Sequence, residues 1–293
     1  MVAQRHRPAD RGHGPGDRGD VRGEHDGQAG RDRDRSPEAC DLRPRSAGRR
    51  FRLLPSLDLL GGRVVRLRGG DPDTATVYAT DPEAAAAGWS SEGADVLHVV
   101  DLDAALGLGS NDTDVHRVVV AARQRRTCCE VAGGVRDEAM VRAWLGRGAF
   151  RVVLGTGLLA DPLLAPRLIA AHGPESIVAA IDVRDGVAMG DGWRPGAAGV
   201  PALEAIARLS KAGIATFEVT AIARDGTMDG PDLRLLTALR DAAPRATLIA
   251  SGGIRGVADL LAVRDAGCGG AILGRALYEG AITLRDARAA LDA

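Results

Sequence analysis

One passage of this chain occurs twice. Val131-Ala-Gly-Gly-Val-Arg136, a helical stretch and Val153-Leu-Gly-Thr156 recur as Ala250-Ser-Gly-Gly-Ile-Arg255, a helical stretch and Ile272-Leu-Gly-Arg275, with the glycines displaced by 119 positions. Leu57-Asp58-Leu-Leu-Gly-Gly62 parallels Ile181-Asp182-Val-Arg-Asp-Gly186 at an offset of 124, and Val99-Val100-Asp101 parallels Val219-Thr220-Ala221 at 120. Such similar offsets imply two homologous halves. If each half is half of a closed barrel, a pseudo-twofold axis puts equivalent residues on opposite sides of one mouth.

The segments between these landmarks fit that architecture. Short aliphatic or β-branched runs alternate with longer helical stretches, the pattern of a parallel α/β fold. The predicted strands are Phe51 to Leu57, Val96 to Asp101, Thr127 to Ala132, Phe150 to Leu154, Ile177 to Asp182, Thr216 to Thr220, Thr247 to Ala250 and Gly270 to Leu273. Amphipathic helices are predicted at Glu138 to Leu145 and Ala202 to Lys211; in the second, Leu203, Ile206, Ala207 and, slightly off the stripe, Leu209 can face a sheet. Eight strand-helix units in residues 51–293 match a (β/α)8 TIM barrel better than an open doubly wound sheet, and no G-x-G-x-x-G fingerprint follows the first strand.

The repeated glycines carry the first chemical signal. Gly133-Gly134 and Gly252-Gly253 follow predicted strands 3 and 7, while Gly155-Thr156 and Gly274-Arg275 follow strands 4 and 8. Glycine at a strand's C-terminal end lets backbone N–H groups approach an anion closely, and the start of the next helix adds a favourable dipole. One Gly-Gly pair more often marks only a tight turn. Two symmetric sets predict two facing phosphate sites, and so a small-molecule ligand with a phosphate at each end.

Acidic residues supply the second signal. Asp58 and Asp182 end predicted strands 1 and 5 at equivalent positions, and Asp225 follows strand 6 in Thr220-Ala-Ile-Ala-Arg-Asp225-Gly-Thr227. An Asp at the C-terminal end of a barrel strand lies in the mouth, and its burial is costly unless it is paired or used. A helix cap or turn is the plain alternative for any one of them. Three acids converging between two anion sites favour proton transfer, with Asp101 and Asp103 after strand 2 as supporting residues.

The runs Leu54-Pro-Ser-Leu-Asp58, Gly62-Arg-Val-Val-Arg-Leu67, His98-Val-Val-Asp-Leu-Asp-Ala104 and Ala132-Gly-Gly-Val-Arg-Asp137 resemble the phosphoribosylformimino-5-aminoimidazole carboxamide ribotide isomerases of histidine biosynthesis. So do Ile181-Asp182-Val183-Arg184-Asp185-Gly186, Gly192-Trp193, Arg224-Asp-Gly-Thr227 and Ala250-Ser-Gly-Gly-Ile254. The resemblance covers residues 51–293 and none of 1–50. It implies a barrel of two homologous halves and an Amadori rearrangement without cofactor or metal, with Asp58 as proton acceptor and Asp182 as donor. Asp225 and Thr220 match other positions that the family uses; Arg66 and Trp193 match residues that contact substrate. Surface exposure for the arginine and core packing for the indole are the alternatives.

Two related activities compete. The cyclase subunit of imidazole glycerol phosphate synthase also carries Asp on strands 1 and 5, but shows Cys-Leu-Asp on strand 1 and lysine where Arg66 stands. A dual-substrate isomerase of high-GC actinobacteria, which also acts on phosphoribosylanthranilate, shares the Leu102-Asp-Ala-Ala105 and Gly109-Ser-Asn111 runs. Its arginine two residues before the tryptophan is Asp191 here, and Ala132 stands where serine is usual, so weak or absent tryptophan-pathway activity is expected. Gly61 and Ala221 also depart from commoner polar residues.

Composition excludes several other classes. A formal charge of -1 gives no reason to expect nucleic acid or a membrane surface, and no apolar run approaches the length of a bilayer span. A cytoplasmic monomer is expected. Residues 1–50 hold 12 Arg against 9 Asp or Glu and almost no large aliphatics, which predicts a disordered extension preceding the barrel of 51–293. Lys211 is the only lysine among 38 basic residues, a bias that points to high-GC coding. Cys40, Cys128, Cys129 and Cys268 lack metal-binding spacing and read as reduced, inert thiols, with adjacent Cys128 and Cys129 on opposite faces of a strand.

Overall fold

A computed structural model describes residues 50–194, 197 and 199–293. The extension read over residues 1–50 lies, apart from Arg50, outside the described residues. Twelve strands form one sheet: β1 (Arg52–Leu60), β2 (Arg63–Arg68), β3 (Asp71–Ala79), β4 (Val96–Asp101), β5 (Cys128–Ala132), β6 (Arg151–Leu154), β7 (Ile177–Arg184), β8 (Val187–Met189), β9 (Gly199–Pro201), β10 (Thr216–Ala221), β11 (Thr247–Ser251) and β12 (Gly270–Leu273). Eight of them pair in parallel in the cyclic order β1-β4-β5-β6-β7-β10-β11-β12, and β12 returns to β1. This is the closed barrel read from the repeat.

Alternation along each strand divides the core in two. Leu53, Leu57, Leu59, Leu97, Val99, Val131 and Phe217 are fully or nearly fully buried in the shell shared with the surrounding helices. Inside, Leu54, Val96, Cys128, Ile249 and Ile272 form an apolar plug at one end. On β1 the parity that places Leu54 inside also turns Ser56 and Asp58 inward, toward the opposite end. Cys128 and Cys129 separate into the inner and outer clusters, as their adjacency requires.

Three expectations need correction. Strands 1 and 5 do not end near Asp58 and Asp182. β1 continues to Leu60 and turns through Gly61-Gly62 into antiparallel β2; β7 continues to Arg184 and turns through Asp185-Gly186 into β8. Both central pairs have positive φ (55° and 73°, 51° and 80°), as two-residue hairpin turns demand. Helix Ala202–Lys211 buries Ala202, Ala205, Ile206 and Leu209, whereas Leu203 is 53% exposed and Ala207 lies outside as well. The buried stripe is therefore rotated toward Leu209, where four apolar residues share a face. Finally, Cys128 is disulfide-bonded, contrary to the reading of four reduced thiols, while Cys129 and Cys268 are free and buried. Among the described residues, no helix is long and apolar enough to cross a membrane.

Candidate active site

The paired turns after β5 and β11 are near copies in conformation. Gly133 and Gly134 have φ of +91° and +70°, Gly252 and Gly253 +91° and +81°. Side chains are excluded there by position as well as by φ. A Cβ on Gly133 would press into the backbone of Asp101, and one on Gly253 into the Gly230 carbonyl, held close because the Gly230 N–H donates to the Gly253 carbonyl at 2.8 Å. Gly155 and Gly274 each precede a short helix, Thr156–Ala160 and Arg275–Tyr278, and neither helix has a side-chain cap.

These turns frame two cavities at one end of the barrel. The larger, about 220 Å³, takes in Gly133, Gly134, Gly155, Thr156, Asp58, Asp182, Asp225, Thr220, Arg66 and Trp193. The smaller, about 30 Å³, is bordered by Gly252, Gly253, Gly274 and Arg275 and shares Asp58, Arg66 and Asp225 with the first. Every candidate site residue thus reaches the same mouth. Asp101 and Asp103 do not: Asp101 caps helix Leu102–Leu106 and accepts bonds from Asn111, and Asp103 accepts from Asn111 and the Gly61 amide. They brace the loops behind the site.

Hairpins β2-β3 and β8-β9, absent from the strand reading, bring unlike helpers to the two central acids. On β2, Arg66 sits across from Asp58: its Nη1 donates to Asp58 Oδ2 at 2.5 Å and to Ser56 Oγ at 2.9 Å, while Ser56 Oγ donates to Asp58 Oδ1 at 2.7 Å. Asp58 and Arg66 therefore form a largely buried ion pair. Beyond β8, the Trp193 indole N–H donates to Asp182 Oδ2 at 2.9 Å. The ring lies against Gly70 of the β2-β3 turn, where a Cβ would come within 2.5 Å. Thr156 Oγ1 accepts from the Asp191 amide at 2.8 Å, anchoring the same loop. Arg275 is already engaged, by Glu279 and by the Gly226 carbonyl.

The electrostatics separate the acids. Burial raises Asp182 above its ordinary value, against the opposing hydrogen bonds of Trp193 and Thr220 and the charge of His98. Burial likewise pushes Asp225 up to about 6, Arg66 opposing it and the charges of Asp58 and Asp182 adding to it. Burial works against the Arg66 cation, but Asp58 and Asp225 outweigh it and raise its pKa. Two acids pushed up by burial, beside a third that is paired with a cation, are unlike surroundings of the kind that coupled proton donation and acceptance requires.

A stability prediction follows from Asp225. Its folded value of about 6 lies above the 3.8 of an exposed carboxyl, so the native state binds the proton more tightly. That advantage is complete below the unfolded value and is lost as pH rises through the folded one. Asp225→Asn should therefore gain stability over the parent at pH 8, by up to about 3 kcal/mol, and the gain should shrink to below about 1 kcal/mol near pH 4. Urea denaturation at the two pH values measures it; an equal difference at both would show that ionisation is not the cause.

Sequence reasoning passed over four residues that face this mouth: Ser56, His98, Glu218 and Ser251. Ser56 was visible in principle, being two positions before Asp58 on the same face of β1. His98 and Glu218 are polar breaks in apolar strands, but their pairing across the barrel is a property of closure.

Comparison with known proteins agrees with the motifs. Residues 52–283 match the family model described as "Histidine biosynthesis protein". The chain is 41% identical over 230 residues to the 1-(5-phosphoribosyl)-5-((5-phosphoribosylamino)methylideneamino)imidazole-4-carboxamide isomerase of Deinococcus radiodurans, covering 78% of this chain and 94% of that one. It is 42% identical over 238 residues to the isomerase of the same name from Salinispora arenicola, covering 80% and 95%. To "Phosphoribosyl isomerase A" of Streptomyces griseus it is 41% identical over 247 residues, covering 83% and 99%. Motif order, barrel geometry and these matches agree, and the chain belongs to the histidine biosynthesis protein family.

Proposed function

We propose that the chain is an intramolecular aldose–ketose isomerase that carries out an Amadori rearrangement on the bisphosphorylated aminoimidazole carboxamide ribotide intermediate of histidine biosynthesis. The observation that carries this reading is that Asp58, paired with Arg66, and Asp182, bonded by Trp193, border one cavity, and that Asp58 also borders a second, with a Gly-Gly turn of matching conformation at each. The relatives' names support the substrate, and the geometry supports the roles.

The chemistry needs an acid and a base. Protonation of the ribose ring oxygen opens the ring to a Schiff base; removal of the C2 proton and tautomerisation then give the aminoketose. Asp58, as a carboxylate, is the acceptor at C2. Asp182 is the donor, and Asp225, raised to about 6, is the further acid within the same cavity. The Gly133-Gly134 and Gly155-Thr156 turns would hold one phosphate, and the Gly252-Gly253 and Gly274-Arg275 turns the other. Holding both ends converts encounter into orientation, which supplies part of the rate. Proton transfers suffice for every step, so the reading calls for neither cofactor nor metal. A cytoplasmic monomer whose partner is its small-molecule bisphosphate completes it.

The dual-substrate activity is the alternative. Asp191 lies between Gly190 and Gly192, which border the cavity, yet its own side chain does not. The reason to expect poor use of phosphoribosylanthranilate is therefore a missing cation for the anthranilate carboxylate more than close repulsion. A charged group left unpaired in such a pocket costs on the order of a hundredfold or more. Steady-state assays of the purified chain on both substrates test the two readings together. Turnover of the imidazole carboxamide substrate, with kcat/KM for the anthranilate compound at least about 100-fold lower, is the expected result; comparable values would establish the broader activity, and no turnover of either would remove the assignment.

A further inference from the structure

Two hairpins, one from each half of the barrel, meet beside the larger cavity. The turn between β2 and β3, Gly69-Gly70, has φ of 57° and 78°, the left-handed pair of a two-residue hairpin. This turn is tied down on several sides. The Gly69 N–H donates to the Asp225 carbonyl at 3.1 Å, and a Cβ on Gly226 would press into the Leu67 carbonyl. Thr74 Oγ1 accepts from the Arg68 amide at 2.9 Å and donates to the Asp71 carbonyl at 2.6 Å. Against the turn rests the Trp193 indole, from the loop joining β8 to β9. A Cβ on Gly70 would lie 2.5 Å from Cε3 and 2.9 Å from Cζ3 of the six-membered ring, while the N–H of the five-membered ring donates to Asp182 Oδ2 at 2.9 Å. Gly70, Trp193 and Asp182 all border the cavity.

We propose that Gly70 is a positioning residue for the reaction: by presenting bare backbone to the six-membered ring, it seats the Trp193 indole so that its N–H stays on Asp182 Oδ2 and fixes the rotation of the donor carboxyl. The inference rests on the donor role given to Asp182 above.

The loop that carries the indole depends on such contacts. Asp191, Gly192 and Trp193 have φ of 53°, 64° and 60°, a conformation that the two non-glycines keep only where their surroundings hold them in it. The Arg184 guanidinium donates to the Trp193 carbonyl at 3.3 Å and that of Arg194 to the Leu106 carbonyl at 2.5 Å, so the backbone is held apart from the ring. Gly70 is what the ring itself leans on. Carbon atoms pack at about 3.5 Å or more, so a β-carbon 2.5 Å from the indole demands a shift of about 1 Å. Because the turn is pinned to the Asp225 loop, the ring yields. Either its bond to Asp182 breaks or the carboxyl turns with it, and a misplacement of about 1 Å costs on the order of 100-fold in rate.

The experiment is a double-mutant cycle read in kcat and KM on the imidazole carboxamide substrate: the parent, Gly70→Ala, Trp193→Ala and Gly70→Ala/Trp193→Ala, with Gly61→Ala and Asp182→Asn alongside. Gly61 is the control for backbone strain, since its φ of 55° is also left-handed but a Cβ there meets nothing within 4 Å. Gly70→Ala should lower kcat about 100-fold and leave KM within about fivefold, because the glycine turns assigned to the phosphates are unchanged. On the Trp193→Ala background it should cost less than about threefold, there being no ring left to displace, and Gly61→Ala should stay within the same margin of the parent. Gly70→Asn serves where Gly70→Ala fails to fold, because asparagine tolerates a left-handed backbone and carries the same β-carbon. Losses that multiply in the double variant, a Gly61→Ala as impaired as Gly70→Ala, or a Gly70→Ala within about threefold of the parent kcat overturn the proposal. Asp182→Asn separates the two levels of inference. If it keeps near-normal turnover, the donor assignment falls and this inference with it; if it abolishes turnover while the losses at Gly70 and Trp193 multiply, only the role of Gly70 is wrong.

Discussion

Asp58→Asn should lower kcat by about a thousandfold or more while leaving bisphosphate binding within a few fold of the parent, because a positioned general base contributes roughly 10²–10⁴ and asparagine cannot accept the C2 proton. The substitution is close to isosteric. Ser56 can still donate to the asparagine Oδ1, and Arg66 keeps the charge of Asp225 nearby. The glycine turns themselves are unchanged, so the ends of the ligand should be gripped as before. Steady-state kinetics and titration calorimetry with a product-like bisphosphate separate the two quantities. A variant within tenfold of the parent kcat would remove Asp58 as the base.

The second large effect concerns stability. Arg151 is 2% exposed and Glu130 fully buried, and the pair sits in the middle of the barrel. Removing one member of such a pair leaves the other's charge in a low-dielectric interior, which typically costs about 3–5 kcal/mol. Arg151→Met should lose that much in urea denaturation. His98 remains on the other Glu130 oxygen, so the loss should stop short of unfolding the protein at neutral pH. Arg151→Met/Glu130→Gln should recover part of it, because no stranded anion remains. A loss below about 1 kcal/mol for the single variant would mean that water or a repacked neighbour satisfies Glu130.

The sequence made the parallel barrel legible because its evidence is local. Short aliphatic runs in Val96–Asp101 and Ile177–Arg184, and a duplicated Gly-Gly after equivalent strands, need no knowledge of the rest of the chain. Asp58, Asp182 and the glycines stand out in the sequence for the same reason. The hairpins carrying Arg66 and Trp193 escaped, although Gly61-Gly62 and Asp185-Gly186 are the dipeptides that two-residue turns favour. A strand that ends a barrel wall and one that rises beyond it have the same periodicity, and only the turn tells them apart. Leu203 failed differently: helical spacing admits two neighbouring stripes, and packing chose the one containing Leu209. His98, Glu130, Arg151 and Glu218 come from four separate strands, and nothing in one strand's pattern says that they meet. Cys128 marks the same limit, since a disulfide joins positions that local sequence does not relate.

The inherited symmetry of the mouth is broken where it matters. Two like-shaped glycine cradles, taken alone, would accept a doubly phosphorylated molecule head first or tail first with equal ease. Arg66 arrives on one hairpin and Trp193 on the other, so one flank is cationic and the other aromatic. That inequality supplies a compass: a ligand with a flat heterocycle at one end and an open sugar at the other has a single favoured heading, and reversal would bring the ring to the guanidinium and the sugar carbons to the indole.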